Sequence, residues 1–234
     1  TAGTQWLASE ERERFARMRY TKRRSESMLG RWTAKRTVAA VLGIADDAER
    51  LASIVVRNAP DGAPEIYVAG KAIALAIAMS DRADWAVTAV RDGPGRIGCD
   101  LELVEPRSSG FVSDYFTPAE QALVADGDPA VLANLIWSAK ESALKVLRTG
   151  LRRDTRSVEV ALGRGDGTVW SELAITVDGH DVQHGWWIRF GDFLLTFASD
   201  VASEPPRSLA EPPALARATP AHAWMSNPAA GPLM

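Results

Sequence analysis

The chain has 234 residues, of which 46% are hydrophobic and 24% are charged, and these fractions are ordinary for a globular protein with a real core. The formal net charge of -3 does not favour nucleic acid or an anionic membrane as a partner. The longest apolar run, residues 72–79, is too short to span a bilayer, and the single cysteine, Cys99, excludes an internal disulfide. We therefore expect a cytoplasmic protein with no nucleic-acid and no membrane partner.

The first half of the sequence predicts two helices followed by strands. Dense charge with Phe15 and Met18 three residues apart predicts an amphipathic helix at 10–19. Apolar residues at helical spacing predict a longer helix at 25–42, which ends at Gly43. Strands are predicted at 54–57, 66–68, 74–79, 85–91 and 97–102, with a turn at 60–62.

The second half repeats that order of elements. Thr117-Pro118-Ala119-Glu120 combines a capping box with proline at the first helical position, so a helix begins there, and a second helix is predicted at 130–147. Strands are predicted at 158–162, 169–177, 185–190 and 193–199. We expect two α+β halves at 1–105 and 106–202, because each half runs from helices to strands.

A proline-rich tail is predicted at 203–234, because its prolines exclude a long helix or a central strand. Leu209, Leu215 and Trp224 are the side chains that are able to dock it, but a mobile tail is the favoured interpretation. The tail and the first residue, Thr1, are compatible with a domain excised from a longer chain as well as with a free protein.

Two acidic residues lie two positions apart on the strand predicted at 97–102. Side chains at this spacing project from the same face, so Asp100 and Glu102 are expected side by side. Adjacent carboxylates repel each other and need a cation or a shared proton, and magnesium prefers such oxygen ligands. For this motif alone, two solvated acids on an exposed strand are the better interpretation.

A second group of charges lies on the helix predicted at 130–147. Trp137, Glu141 and Lys145 fall on one stripe of this helix, with Lys140 beside them. A surface ion pair of little energetic value is the simplest interpretation of an acid between two lysines. The apolar Trp137 and Leu144 place the stripe at the edge of a packed face instead.

The N-terminal region is locally basic although the chain is slightly acidic. The arginines and lysines between 12 and 36 outnumber the acids there, and they include Arg23, Arg24, Arg31 and Lys35. Such a concentration suits phosphate groups, although a solvated helix surface has the same composition.

Together these three features resemble the Sfp-like type of 4'-phosphopantetheinyl transferase over roughly residues 10–199. Residues 98–102 fit the Gly-x-Asp-x-Glu motif of that family, and residues 137–145 fit its Trp-x-x-Lys-Glu-x-x-x-Lys motif. The interval between the motifs, Leu29-Gly30-Arg31, Thr149-Gly150-Leu151 and the strand at 157–160 also look like the family.

The resemblance implies the fold, the reaction and its partners. Two α+β halves related by pseudo-twofold symmetry enclose the active site in the cleft between them. The enzyme moves the 4'-phosphopantetheine arm of coenzyme A to a serine of an acyl or peptidyl carrier protein and releases 3',5'-ADP. We expect a monomer, and a transferase domain integrated in a polyketide synthase is the expected context.

The resemblance also implies a role for each site residue. Mg²⁺ is held by Asp100, Glu102 and Glu141; Glu141 is also the candidate general base, and Lys145 acts with it in catalysis. Coenzyme A is bound through the following residues: Arg23, Arg24, Lys35, Ser80, Arg82, Lys140 and Lys145.

One position departs from the family pattern. The family has a Ser-His-Ser triplet whose histidine holds coenzyme phosphates, and the matching segment here is Ser80-Asp81-Arg82. An ionised aspartate cannot donate a hydrogen bond to phosphate, so we expect Arg82 to supply the donor and to pair with Asp81.

Two other functions are compatible with the same residues. A different magnesium-dependent phosphate enzyme, such as a nucleotide hydrolase, would use the same acids without a carrier protein. A non-catalytic module would dock a carrier protein through the basic helix and would show no turnover. The histidines favour neither function, because His180, His184 and His222 lack metal-ligand spacing.

Overall fold

The computed structural model describes residues 3–209 together with Leu215 and Ala218. Within this part of the chain the helices are α1 (Ser9–Ala16), α2 (Thr21–Leu42), α3 (Ala48–Ser53), α4 (Ser109–Tyr115), α5 (Pro118–Asp126) and α6 (Pro129–Leu147). The strands are β1 (Ile54–Asn58), β2 (Pro64–Val68), β3 (Lys71–Ala72), β4 (Leu75–Arg82), β5 (Trp85–Asp92), β6 (Ile97–Leu103), β7 (Val158–Leu162), β8 (Ser171–Val177), β9 (Gln183–Phe190) and β10 (Phe193–Ser199). None of the helices described has the length and apolar character needed to cross a membrane.

The strands form three antiparallel sheets. The largest has the order β6-β10-β9-β8-β7, β1-β2-β3 form a second sheet, and β4 and β5 form a hairpin. This mixture of helices and antiparallel sheets confirms the predicted α+β class. The division at residue 105 falls just after β6, yet β6 pairs along its whole length with β10, so the large sheet takes one strand from the first half and four from the second. The pseudo-twofold relation of the halves stays a prediction.

The helix ends follow the signals in the sequence. Gly43 caps α2 in the left-handed conformation with φ of 66°, which glycine adopts without steric cost. Thr117 and Glu120 form the predicted capping box of α5. The short helices α3 and α4 and the strand β3 were not predicted, because each is too brief to show a periodic pattern.

Helix α6 packs directly on β6 and β10, and glycine permits the close approach. A Cβ atom at position 98 would overlap the backbone carbonyl of Ser142 and would lie 3.0 Å from Cβ of Lys145. The buried hydroxyls of Ser138 and Ser142 each lie 2.8 Å from Oγ1 of Thr196 on β10. These contacts join α6 to β10, and Oγ of Ser138 also donates to the backbone carbonyl of Asp100 at 3.2 Å, which fixes the motif strand β6 against the motif helix α6.

The outer face of the large sheet, opposite α6, carries an apolar cluster that the tail covers in part. Leu215 is 9% exposed and packs with Leu101, Leu103, Phe193 and Leu195. Leu215 thus occupies the docking position that the sequence offers for it, while the mobility of the tail stays a prediction. Leu209 stays 57% exposed, and Trp224 lies outside the described residues.

Candidate active site

A cleft of about 650 Å³ lies between elements of the two predicted halves. Its walls come from α2, from the β1–β2 hairpin, from β4 and from the end of α6 with the loop that follows it. The volume is in the range of sites for small molecules and cofactors.

Arginine and lysine side chains line this cleft, and several were not singled out by the sequence. The cations of the lining are Arg31, Arg96, Lys145, Arg148 and Arg152. Of these, the sequence did not single out Arg96, Arg148 and Arg152. Positions 145, 148 and 152 continue one helical stripe past the end of α6, and this spacing is the signal that would have revealed them. Arg148 has a left-handed φ of 58° and pairs with Asp61 of the β1–β2 hairpin across the cleft at 3.2 Å. Glu26, Asp61, Glu65 and Asp81 line the same cleft, so its positive charge exceeds its negative charge only slightly, and the cations near the end of α6 are the part that suits an anionic ligand.

Asp100 lies behind the wall of the cleft and contacts it through two residues. Nζ of Lys145 lies 2.9 Å from Oδ1 of Asp100, and the hydroxyl of Ser80 donates to the same oxygen at 2.8 Å. Lys145 also donates to the backbone carbonyl of Cys99 at 2.8 Å. Burial lowers the pKa of Lys145, but the charge and the hydrogen bond of Asp100, together with smaller contributions that include the charge of Glu141, outweigh it and the pKa is raised. Lys145 is therefore a fixed cation, and Ser80 lies in the cleft as the resemblance implies.

Glu102 and Glu141 both lie near enough to Asp100 for its charge to change their pKa values. Burial and the charge of Asp100 raise the pKa of Glu102 to about 7, although Arg107 and Arg82 oppose the change. Burial and the same charge raise the pKa of Glu141, while Lys145 lowers it. Asp100 on β6 is thus close enough to shift the pKa of both glutamates, while a metal site shared by the three acids stays a prediction.

Some carboxylate oxygens of these acids have no hydrogen-bond partner in the part of the chain that the structure describes. Such oxygens indicate whether a divalent cation fits the site. Oδ2 of Asp100 and Oε1 of Glu141 are buried and lack hydrogen-bond partners among the described residues. No group of three or more His, Cys, Asp or Glu side chains in the described residues has the geometry to hold a metal alone. Mg²⁺ usually takes only one or two carboxylates and completes its shell with water and substrate phosphate, so these free oxygens fit it.

Arg82 does not have the environment that the sequence predicts. Its Nη2 donates to Oε2 of Glu105 at 2.7 Å, and its Nε lies 3.4 Å from Oε2 of Glu102. Asp81 instead lines the cleft, because neighbouring residues of β4 point to opposite faces. The predicted pairing of Arg82 with Asp81 is therefore wrong, and Arg82 is not a residue of the cleft wall.

Asp81 places a further negative charge in the cleft. Partial burial and the charge of Glu26 on α2 raise its pKa, while Lys145 lowers it. The residue that replaces the family histidine is thus an acid that faces another acid.

Two lysines predicted to hold phosphates are structural instead. Lys35 is fully buried, forms an ion pair with Glu11 and donates to the carbonyl of Trp6 at 3.0 Å. Lys140 is fully buried and lies 2.7 Å from Oε2 of Glu120. Neither ammonium group is accessible to a coenzyme, so the predicted coenzyme-binding roles of Lys35 and Lys140 are wrong.

The remaining predicted cations lie at the start of α2. Arg23 is exposed and Arg24 is half-buried, and neither side chain has a hydrogen bond or an ion pair with the described residues. Neither lines the cleft, which α2 reaches through Glu26, Ser27, Gly30 and Arg31 instead. Their contact with a 3'-phosphate stays a prediction.

Cys99 is not a nucleophile in this site. Its side chain is fully buried between Gly98 and Asp100, and burial raises the pKa of the thiol to about 12. The thiol therefore stays protonated at neutral pH, as a buried strand residue would.

Residues 96–198 match the family model of the 4'-phosphopantetheinyl transferase superfamily. The match begins at β6 and ends in β10. It therefore contains both motifs, the first on β6 and the second on α6, whose end lines the cleft. The part of the chain from residue 96 to residue 198 is therefore similar to a domain of this superfamily, and the similarity indicates a transferase. No curated protein matches the sequence.

Proposed function

We propose that this protein transfers the 4'-phosphopantetheine arm of coenzyme A to a serine of an acyl or peptidyl carrier protein, with Mg²⁺ as cofactor. One observation carries the proposal. Lys145 and Ser80 line the cationic cleft and both contact Asp100, while Asp100 and Glu141 keep buried oxygens without partners. A phosphate-bearing ligand and a divalent cation satisfy both features together.

The cleft side chains bind and orient the coenzyme. Lys145 contacts the pyrophosphate as a fixed cation, and the hydroxyl of Ser80 supplies a donor beside it. Arg148 and Arg152 extend the positive charge along the same wall. Charge-assisted contacts of this kind are stronger than neutral hydrogen bonds, so they hold the reacting phosphorus in place.

Asp100, Glu102 and Glu141 would hold the metal. When bound, Mg²⁺ supplies positive charge that offsets the negative charge developing on the pyrophosphate. The three acids come from β6 and α6, whose relative position is fixed by the buried contact at Ser138, Ser142 and Thr196.

Glu141 acts as the general base. Its raised pKa makes the carboxylate a better proton acceptor than an ordinary glutamate. The carrier serine oxygen forms a bond to the phosphorus nearer the pantetheine, and the bond from that phosphorus to 3',5'-ADP breaks. The hydroxyl proton passes to Glu141.

The finer assignments follow from the resemblance. They are an Sfp-like choice of carrier protein, a monomeric enzyme of the cytoplasm, and a place in a polyketide synthase. The match to the superfamily supports transfer in general, and the basic cleft supports the coenzyme as its donor.

The proposal is tested by intact-protein mass spectrometry of an apo carrier protein incubated with coenzyme A, Mg²⁺ and the enzyme. We expect one phosphopantetheine per carrier and release of 3',5'-ADP. Asp100→Asn and Glu141→Gln should each reduce the rate on the order of a hundredfold. Glu172→Gln, an acid-to-amide change at an exposed site on β8, is the control and should leave the rate unchanged.

Two results would contradict the proposal. Consumption of coenzyme A without any carrier protein would indicate a hydrolase. An unmodified carrier protein in every mixture, together with binding of that carrier to the enzyme, would indicate a docking module.

A further inference from the structure

Glu102 differs from the other two acids because arginines approach it. Nε of Arg82 and Nη2 of Arg107 lie 3.4 and 3.2 Å from the same oxygen, Oε2. The Glu102 side chain is 13% exposed, so these contacts are largely shielded from water. Two guanidinium groups thus approach one edge of a single buried carboxylate as ion pairs, although these three atoms have no hydrogen-bond partner among the described residues.

The two arginines are themselves fixed by contacts that do not involve Glu102. Nε of Arg107 donates to Oδ1 of the fully buried Asn134 at 2.7 Å, and its guanidinium lies 4.8 Å from the ring centre of Phe111. Arg82 donates to Glu105 at 2.7 Å. Both guanidinium groups are therefore held in place before any ligand binds.

The anchors of these arginines also connect three elements. Nδ2 of Asn134 donates to the backbone carbonyl of Glu105 at 2.6 Å, which ties α6 to the segment after β6. Arg82 stands at the end of β4. The carboxylate of Glu102 thus lies in a rigid frame built from β4, α6 and the segment that follows β6.

We propose that Arg82 and Arg107 are positioning residues that hold the Glu102 carboxylate in the orientation needed to bind the divalent cation. The inference rests on the proposed function, because it assigns the arginines a role in the same metal site. Groups that hold a metal-binding carboxylate orient it, and their loss typically weakens metal binding 10- to 100-fold. The loose ion pairs, both longer than 3.0 Å, leave the carboxylate free to share its charge with a cation.

Charge and orientation predict opposite results, which makes the proposal testable. Removing a nearby positive charge should strengthen the binding of a cation if charge alone matters. Removing the group that orients a ligand should weaken it. Lysine keeps the charge of arginine but lacks the planar fork, so Arg→Lys separates the two effects.

The experiment measures Mn²⁺ binding by electron paramagnetic resonance in the presence of coenzyme A. We expect Arg107→Gln, Arg107→Lys and Arg82→Gln each to weaken Mn²⁺ binding on the order of tenfold relative to the native chain. Arg57→Gln is the matched control, because it breaks another Arg–Glu pair, with Glu10 at 2.9 Å, outside the cleft. This control should bind Mn²⁺ like the native chain.

Thermal unfolding of the same variants separates positioning from general support. Weakened Mn²⁺ binding in variants with native melting temperatures supports the proposal. Unchanged or tighter binding in Arg107→Gln overturns it, while loss of binding in Glu102→Gln shows in the same series that the metal site itself is correct. If the native chain binds no Mn²⁺ with coenzyme A present, the proposed metal site is wrong, and the role proposed for the two arginines is wrong as well.

Discussion

Nζ of Lys145 lies 2.9 Å from Oδ1 of Asp100, so the two sequence motifs are joined by one ion pair. Lys145 comes from the last turn of α6, and Asp100 comes from the middle of β6. The pair is partly shielded from water, with side-chain exposures of 30% and 9%. It therefore contributes more to stability than an exposed pair does, and it connects the cleft wall to the acids behind it.

Lys145→Met tests whether this ion pair serves the ligand. We expect transfer to fall on the order of a hundredfold, because the cleft loses its fixed cation and Asp100 loses its partner. The Michaelis constant for coenzyme A should rise as well, since a contact to the bound phosphates is lost. Steady-state kinetics with varied coenzyme A measure both. Normal kinetics in this variant would show that Lys145 only supports the fold.

The sequence predicts this pair of motifs well because both depend on short-range periodicity. Strand alternation places Asp100 beside Glu102, and helical spacing places Glu141 above Lys145. The environment of Lys140 was not predictable in this way. Its partner Glu120 lies on another helix, and a flanking lysine has the same pattern whether it faces solvent, a ligand or the core.

The orientation of residues in the cleft was also beyond the sequence. Arg82 was expected in the cleft because it neighbours Asp81, but β4 continues to Arg82 and sends the two side chains to opposite faces. A loop at that point would have permitted the expected contact. The resemblance named the segment, and only the backbone showed that Asp81, and not Arg82, lines the cleft.

Lys140→Met should reduce stability and leave coenzyme affinity unchanged. The change leaves Glu120 buried without its partner, and breaking such a pair costs about 3–5 kcal/mol in the free energy of unfolding. Urea denaturation measures this loss. The double variant Lys140→Met, Glu120→Gln should recover part of it, because no uncompensated charge stays buried. A large loss of coenzyme affinity in the folded single variant would show that Lys140 contributes to coenzyme binding.

Gly98→Ala should destabilise the fold because a methyl group at this position overlaps the carbonyl of Ser142. Backbone cannot move aside as a flexible side chain can, so we expect a loss of at least about 1–3 kcal/mol in the free energy of unfolding. Gly110→Ala in α4 is the control, since its nearest atom would be Oγ of Ser108 at 3.9 Å. Equal stability of the two variants would show that α6 and β6 are less closely packed than described.

The stability of the ligand-free protein should fall as the pH rises through the range set by Glu102. Its pKa is raised from an ordinary value of 4.5 to about 7, so the folded state keeps a proton that the unfolded state releases. This difference corresponds to roughly 3 kcal/mol of stability that is present at pH 4.5 and lost above pH 7.

Urea denaturation of the ligand-free protein at several pH values between 4.5 and 8 measures this loss. Glu102→Gln should remove most of the decline, because glutamine does not titrate. A native chain that becomes more stable across this range would contradict the expected sign.

Asp81 should oppose coenzyme binding rather than support it. It lines the cleft with Glu26, and a negative charge there repels the phosphates of the ligand. We expect Asp81→Asn to lower the dissociation constant of coenzyme A on the order of tenfold at pH 8, which corresponds to about 1.4 kcal/mol. Isothermal titration calorimetry of both proteins measures the difference, and Asp92→Asn, at the exposed end of β5, is the control.

The pH dependence of that difference identifies its cause. Burial and Glu26 raise the pKa of Asp81, so the carboxyl group gains its proton more readily than an ordinary aspartate as the pH falls. Once protonated, the native side chain is as neutral as asparagine, and the affinities of the two proteins should converge at low pH. A difference that persists unchanged at low pH would point to shape rather than charge. Weaker binding of Asp81→Asn at pH 8 would instead show that the carboxylate contributes to the site, for example by binding a cation.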